Sequence, residues 1–392
     1  MDIVCCRSTD EVAEKAFRLR YMVYGAELDI NNPDIDHQRQ IYEDASDKIA
    51  RIYVAIKDAN AIATCRTLYD RDCVVRDHLS EPIYEALEIE KFQKHFPGKL
   101  AISTKFSISP SQRGSLAAHL VTAKMFEDIV DDGIEFVFSW CAPYLFNFYS
   151  KLGFHMYSHA VSDENGLWTP IVFPTRDWTH LKAINSPFFK QLEKKQLCEF
   201  VHPSVDWFNE QFGASLDVFV SDYEDVVLDK IFSLGGSEAP SHSLQDVSIF
   251  SAMSPDEVKG MIDSNKLLNF EVGENILQAG QRQDEMFIVL EGLVDVSLDG
   301  TSTSSVRLGP GQIFGEIAML TRAKRSANCV AATKTLLTFL SRQDVSRLVK
   351  GKPELAAKLL FNLSKSLSLR LLRTNEEVRS LQGARGGSIS PS

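Results

Sequence analysis

Long apolar runs are missing from this 392-residue chain, and no stretch approaches the ~18 residues that a membrane-crossing helix needs. The opening Met1-Asp2-Ile3-Val4 has neither a basic start nor a following apolar block, so no secretory leader is expected. Cysteine is sparse and unpatterned. The seven residues, Cys5, Cys6, Cys65, Cys73, Cys141, Cys198 and Cys329, are odd in number, scattered, and form no Cys-x-x-Cys pair. That argues against a disulfide framework and against a zinc site, and a reducing cytoplasm with no bound metal is the expectation. Positive charge is in deficit: 42 Lys and Arg against 53 Asp and Glu give a formal net charge of −11. A general nucleic-acid binder would carry a basic face, so no nucleic-acid partner is expected. Internal repeats are absent too. What remains is an ordinary soluble composition, 44% hydrophobic and 24% charged, long enough for two or three domains.

A local absence is more pointed. Between Lys91 and Phe126 there is no Asp or Glu, where the chain average would place roughly five. The same window carries Lys91, Lys94, Lys99, Lys105, Arg113 and Lys124. An acidic protein thus presents one locally positive segment, suited to an anionic ligand. That segment holds a strand at 101–108, a turn at Ser109-Pro110-Ser111-Gln112-Arg113-Gly114-Ser115 and a helix to about Val130. Backbone N–H groups of such a turn, with the helix N-terminus, can hold a pyrophosphate.

Elsewhere in the first half, Thr9–Tyr24 reads as an amphipathic helix, and 51–57 with 61–68 as two strands around Asp58-Ala59-Asn60. Glu135–Cys141 reads as a strand, and Tyr144–Leu152 as a helix closed by Gly153. From 155 to 234 the pattern weakens, with prolines at 170, 174, 187 and 203, and implies the end of a domain and a helical connector. Residues 234–243 have linker composition. Short glycine-punctuated strands then suggest a small β-barrel, followed by a helix from Pro353 to Leu381 and a tail expected to be disordered. The boundaries are therefore 1–180, 181–245, 246–381 and 382–392.

In the barrel region, Glu316 stands nine residues before Arg325 with small residues on both sides. A short helix from Gly315 would offer free N–H groups to an anion, Arg325 a bidentate clamp, Ser326 a hydroxyl, and Glu316 an acceptor for a sugar hydroxyl. The run Phe314-Gly315-Glu316-Ile317-Ala318 to Arg325-Ser326-Ala327 closely resembles the phosphate-binding cassette of cyclic-nucleotide-binding domains. Its flanks, Gly280, Met286–Gly292 and Leu308–Phe314, match that family too. The resemblance covers about 246–380 and implies a jelly-roll-like β-roll with flanking helices. It further implies a cyclic nucleotide effector, cyclic AMP before cyclic GMP, and closure of the helix after Pro353 over the base.

The first half resembles the GNAT N-acyltransferase superfamily over about 1–175. The turn at Ile108, Arg113, Gly114 and Ser115 corresponds to its cofactor loop, although Ser111 and Leu116 depart from the consensus. Leu145–Phe154 looks like its late helix, where Tyr149 sits at a general-acid position. The autoinducer-synthase and N-acyl amino acid synthase branch is closer still. Arg20-Tyr21-Met22-Val23-Tyr24, Glu43-Asp44-Ala45-Ser46-Asp47, the Arg66 strand and the strand of Ser103 to Ile108 resemble its motifs, with Lys105 in place of Arg. Ile102 stands where autoinducer synthases have Glu, so homoserine-lactone chemistry is not expected.

Amide formation from a thioester needs a neutral amine, a path for its proton and an oxyanion stabiliser. Glu43, Asp44 and Asp47 are candidates to orient or deprotonate the amine; Arg20, Arg66 and Lys105 to hold its carboxylate or to pair with the acids. An acyl tunnel would be lined by apolar residues such as Phe136, Phe138, Trp140 and Phe148, although such residues more often form plain core. The resulting expectation is a two-domain α+β protein: a GNAT-like mixed-sheet domain and a cyclic-nucleotide-binding β-roll. Its activity is nucleotide-regulated acyl transfer from acyl carrier protein or acyl-coenzyme A to an amine. Alternatives are a coenzyme-A-dependent protein lysine acetyltransferase and a non-catalytic nucleotide sensor with a decayed acyltransferase fold. The acceptor, a small amine or a protein lysine, and the oligomeric state are not legible in the sequence.

Overall fold

The computed structural model describes residues 1–386 apart from 31, 164, 221–248, 260, 262–266 and 299–304. The expected linker at 234–243 lies outside the described residues. Two compact units result, Met1–Val220 with Asn275–Gln283, and Ser221–Glu274 with Asp284–Ser392.

The first unit is built on one twisted sheet. Its strands are β1 (Asp2–Cys6), β4 (Arg51–Lys57), β5 (Asn60–Tyr69), β6 (Leu100–Ile108), β7 (Phe136–Cys141), β8 (His155–Met156), β9 (Val161–Asp163) and β10 (Gly166–Pro174). The order is β1-β4-β5-β6-β7-β10-β8, with β9 on β10; a separate ribbon pairs β2 (Ile35–Asp36) with β3 (Ile41–Tyr42). Every pairing in the sheet is antiparallel except β6 with β7, whose crossover is the helix α4 described below. The helices are α1 (Glu11–Arg20), α2 (Glu81–Ala86), α3 (Ile89–Gln93), α4 (Ala117–Asp131), α5 (Phe146–Leu152), α6 (Trp178–Ala183), α7 (Phe189–Lys194) and α8 (Pro203–Val220). Alternation along the strands divides the core. Ala63, Cys65, Ala101, Val137 and Cys141 face α4. Leu68, Ile102, Phe136 and Phe138 face the opposite side, with Phe92 of α3 and Phe208 and Phe212 of α8.

Two elements differ from the sequence reading. The expected helix to Tyr24 ends as α-helix at Arg20 and continues to Glu27 as a widened, π-type turn. Strand β10 falls in the region read as weakly patterned, because Pro170 and Pro174 argue against a strand. Pro170 falls between the stretches paired with β9 (166–168) and β8 (171–172), where its missing N–H interrupts neither ladder.

Two four-stranded sheets follow, all in the second unit except the strand Asn275–Leu277, which belongs to the first. Their strands are β11 (Leu267–Phe270), β12 (Asn275–Leu277), β13 (Glu285–Glu291), β14 (Val294–Ser297), β15 (Ser305–Leu308), β16 (Ile313–Phe314), β17 (Asn328–Ala331) and β18 (Thr335–Ser341). They are ordered β11-β18-β13-β16 and β12-β17-β14-β15. Gly292 turns β13 into β14 at φ +80, where an added Cβ would meet the Lys334 carbonyl oxygen at 2.3 Å, so only glycine fits. Helices α9 (Pro255–Lys259), α10 (Glu316–Thr321), α11 (Arg342–Gly351) and α12 (Pro353–Gly386) complete the unit. Helix α12 runs past Leu381, where the sequence reading ended it. Its Leu355, Leu359 and Leu363 are buried on the roll with Met286, Ile288 and Leu340.

Candidate functional site

In the first unit, the acids and bases singled out from the sequence converge at one place on the sheet face away from α4. Arg20 ends α1, Asp44 and Asp47 bracket the 3-10 turn Ala45–Lys48, Arg66 lies on β5 and Lys105 on β6. Asp44 and Asp47 also cap that turn reciprocally, each carboxylate accepting from the other end's backbone, which fixes both side chains. Arg20 and Asp47 are fully buried and joined by a 2.8 Å bond. Arg66 bridges Asp44 and Asp47, the latter at 3.2 Å, and its Nε donates to Thr104 Oγ1 at 2.9 Å. Lys105 Nζ lies 3.5 Å from Asp44 Oδ2, donates to the Tyr42 hydroxyl and sits 3.8 Å from that ring's centroid. Glu43, on the same loop, is half-buried and stands outside this network.

A bulge in β6 makes the convergence possible. On β5, Thr64 to Arg66 spans two residues, while the partners on β6, Ser107 to Thr104, span three. Lys105 is the extra residue, at φ +55 in the left-handed region. Thr104 and Lys105 consequently both reach the acidic cluster, while Ser103 and Phe106 pack on the α4 side. A lysine held there is strained, and strain of this kind concentrates at functional sites.

The electrostatics follow from burial. Burial alone would raise the Asp44 carboxyl, but Arg66, Lys105 and Arg20 outweigh it and hold the carboxyl well below the usual range. Burial lowers the Lys105 amine to about 8, with Arg66 and Arg20 adding to it and Asp44 opposing. Tyr42 is pushed up by burial and by Asp44, so its phenol stays protonated. Among the buried atoms, Arg20 Nε and Nη2 have no hydrogen-bond partner.

Strands β6 and β7 pair only from Leu100–Ile102 to Phe136–Phe138, so beyond Ile102 the facing edges of the two strands are open. On the α4 side a small apolar cavity, about 10 Å³, is lined by Ser103, Phe106, Met125, Tyr149, Leu152 and Phe188 among others. The residues named as tunnel lining or core are core, split between the two faces of the sheet. Phe136 and Phe138 are wholly buried on the opposite face against Phe92, because they share the alternation of Ile102 and not of Val137. Trp140 packs there too, whereas Phe148 stays on the α4 side, stacked 5.6 Å from Phe106. Burial raises the Tyr149 hydroxyl well above its ordinary value, so it stays a neutral phenol beside the cavity.

The turn before α4 has Gly114 at φ +80 with open space around it. Ile108 packs against the α4-side core, Ser115 Oγ accepts from the Ala117 N–H at 3.2 Å, and Leu116 is 69% exposed. Arg113 is engaged in a bidentate pair with Glu27, at 2.7 and 2.5 Å.

In the second unit, Gly315 adopts φ +76 and caps the six-residue α10. Arg325 is 4% exposed and donates to the Glu285 carbonyl at 2.7 Å, to the Gly315 carbonyl at 2.9 Å and to Glu285 Oε2 at 3.2 Å. Burial pushes the Glu285 carboxyl up to about 7 against the pull of Arg325. Glu316 is buried and pairs with Arg370 of α12 at 3.2 Å, and Arg370 also donates to the Ile313 carbonyl. Phe314 and Ala318 are buried, Ile317 is 46% exposed, Ser326 is exposed and Ala327 half-buried. The sequence reading missed Glu285 and Arg370. Nothing in their spacing marks them, since they lie 40 and 54 residues from the groups they hold. Among the described residues no cluster of His, Cys, Asp and Glu forms a metal site, and no helix is long and apolar enough to cross a membrane.

Residues 267–352 match the cyclic nucleotide-binding domain family, and the second unit carries such a domain. A cyclic nucleotide-gated potassium channel of Mesorhizobium japonicum is 33% identical over 110 residues, 28% of this chain and 30% of its own. The cyclic AMP receptor protein of Thermus thermophilus is 30% identical over 133 residues, 33% of this chain and 60% of its own. The chain thus spans between 26% and 60% of the length of the first curated relatives it matches. A solved coenzyme-A-dependent acyl-homoserine lactone synthase is similar at 13% identity, covering 47% of this chain and 90% of its own with a TM-score of 0.37.

Proposed function

We propose that the chain is a cyclic-nucleotide-regulated N-acyltransferase that moves an acyl group from a thioester, carried by acyl carrier protein or coenzyme A, to the amine of an amino acid. The observation that carries this reading is the buried Arg20–Asp47–Arg66–Asp44–Lys105 network, assembled by a bulge on the strand that parts from β7. Arg20 keeps two buried donors, Nε and Nη2, without a partner, and these are available to a third carboxylate, the one an amino acid brings. The open edges of β6 and β7 give an extended thioester arm a place to add main-chain hydrogen bonds. The cavity on the α4 side, about 10 Å³, has room for about one water, so its apolar lining of Phe106, Met125, Leu152 and Phe188 must open to take an acyl group, and Tyr149 beside it is the neutral phenol that would protonate the leaving thiolate. Attack is direct, with no covalent enzyme intermediate.

Cyclic AMP is the proposed effector, its phosphate taken by Arg325 and the N–H groups after Gly315, its ribose hydroxyl by Glu316. The test incubates purified protein with long-chain acyl carrier protein, acetyl-coenzyme A, free amino acids and target proteins, with and without cyclic AMP, and reads thiol release and products by mass spectrometry. An N-acyl amino acid whose yield changes with nucleotide is expected. Acetylated protein without N-acyl amino acid would overturn the acceptor. No thioester turnover in any mixture, with calorimetry still showing nucleotide binding, would leave only a sensor.

A further inference from the structure

Two carboxylates and one lysine line the acceptor side of this site, and the chemistry requires that one group remove a proton from an ammonium. Asp44 and Asp47 are poorly suited to do so. Each is held by charge-assisted hydrogen bonds, Asp47 by both Arg20 and Arg66 and Asp44 by Arg66, with Lys105 beside it. Asp44, its carboxyl held well below the usual range, is a weak base, and Asp47 is wholly buried with a guanidinium on either side. Protonating either would also break a buried ion pair.

Lys105 is differently placed. The left-handed bulge turns its side chain out of the strand's normal alternation and onto the cluster face. Its side chain is 17% exposed, so the amine is not sealed in. Every group that packs around it is accounted for: Asp44 and Asp47 from the 3-10 turn, Tyr42 from β3, Tyr24 from the turn after α1, Arg20 from α1 and Arg66 from β5. Against two acids stand two guanidiniums, and with burial they make the ammonium form costly. Tyr42 stays a neutral phenol, able to accept from the ammonium and to donate to the free amine.

We propose that Lys105 is the catalytic base that takes the proton from the acceptor's ammonium group; this rests on the acyl-transfer reading above. The lone pair on Lys105 Nζ accepts one proton from R–NH3⁺. The neutral amine nitrogen then forms a bond to the thioester carbonyl carbon, and the carbonyl π pair moves to oxygen. As the tetrahedral adduct collapses, the C–S bond breaks. The second nitrogen proton balances the thiolate, delivered through a neutral donor such as Tyr149. Amide and free thiol leave, and Lys105 returns its proton to water. Arginine at this position would keep the charge and lose the function, because a guanidinium does not give up its proton in the working range.

The test uses the full chain with Lys105→Arg and Lys105→Ala. In the wild type, kcat/KM is expected to rise with pH and level off above about 8. Lys105→Arg should lose on the order of 10²-fold or more, together with that limb of the profile. Added primary alkylamines should partly restore Lys105→Ala, more strongly as their basicity increases. A Lys105→Arg enzyme within a few-fold of wild type, with the limb intact, would show a residue that only holds negative charge. A second readout is independent of turnover. With 13Cε-labelled lysine, one resonance absent from the Lys105→Arg spectrum should titrate near 8. Turnover accompanied by titration above 10 would overturn the base. Titration near 8 without any wild-type turnover would instead sink the acyl-transfer reading.

Discussion

At Arg325 a single guanidinium completes the protein's own bonding and waits for a ligand's. It spans Glu285 and the Gly315 carbonyl, while Arg325 Nε and Glu285 Oε1 are buried without partners. Incomplete satisfaction at zero solvent exposure is costly, and a phosphate brings acceptors for the remaining donor. Arg325→Ala should therefore weaken cyclic AMP binding by more than a hundredfold in calorimetry. It should also destabilise the free domain by up to ~3–5 kcal/mol, because Glu285 is left as a buried carboxylate without a partner. Proton uptake by Glu285, already pushed up to about 7 and higher still once the pull of Arg325 is gone, would relieve part of that loss at neutral pH and below. Arg325→Lys keeps the charge but lacks the planar fork, so it should bind more weakly than wild type and fold better than the alanine variant. An unchanged affinity in Arg325→Ala would remove the clamp from the argument.

Among the elements, α5 shows how closely packing holds a functional side chain. Gly153 ends it at φ +120, and an added Cβ would lie 2.4 Å from Leu181 Cδ2 and 2.7 Å from Phe173 Cε2. Gly153→Ala combines left-handed strain with overpacking, so a loss of ~2–4 kcal/mol is expected by denaturant unfolding. Tyr149 sits one turn earlier and contacts Phe154 at 5.4 Å between centroids, so acyl transfer should fall further than stability alone explains. A variant as stable as wild type would mean the turn has room the packing does not show. This glycine was legible in the sequence, as were strands β4 to β7, because periodicity and turn chemistry act locally. The bulge at Lys105 was not: its cause is tertiary, a β5 partner too short by one residue and a cluster that stabilises the strained backbone. Strand β10 was hidden by prolines that only the sheet's incomplete pairing accommodates. The residues of the acid-base cluster could be named from the sequence; which acids are tied up and which base is free depended on their distances.

For the molecule as a whole, the proposed function makes one thermodynamic demand. A sensor and a transferase share one chain, so any equilibrium effect of cyclic nucleotide on donor binding must be matched by an equal effect of donor on nucleotide binding. Such coupling is commonly ~1–3 kcal/mol, or about 5- to 150-fold. In the cassette Glu316 pairs with Arg370 of α12 and Arg325 with Glu285. A ribose hydroxyl that claims Glu316 competes with Arg370, and freeing Arg370 would remove one tie between α12 and the cassette. That tie makes α12 the element expected to carry occupancy into a conformational signal. Calorimetry of cyclic AMP with and without a non-reactive acyl-thioester analogue, then of the analogue with and without cyclic AMP, should give the same factor twice. Arg370→Ala should shrink that factor while leaving Arg325 able to bind phosphate. Factors of one in both titrations would separate the two halves energetically and end the regulated reading, even if each half bound its own ligand.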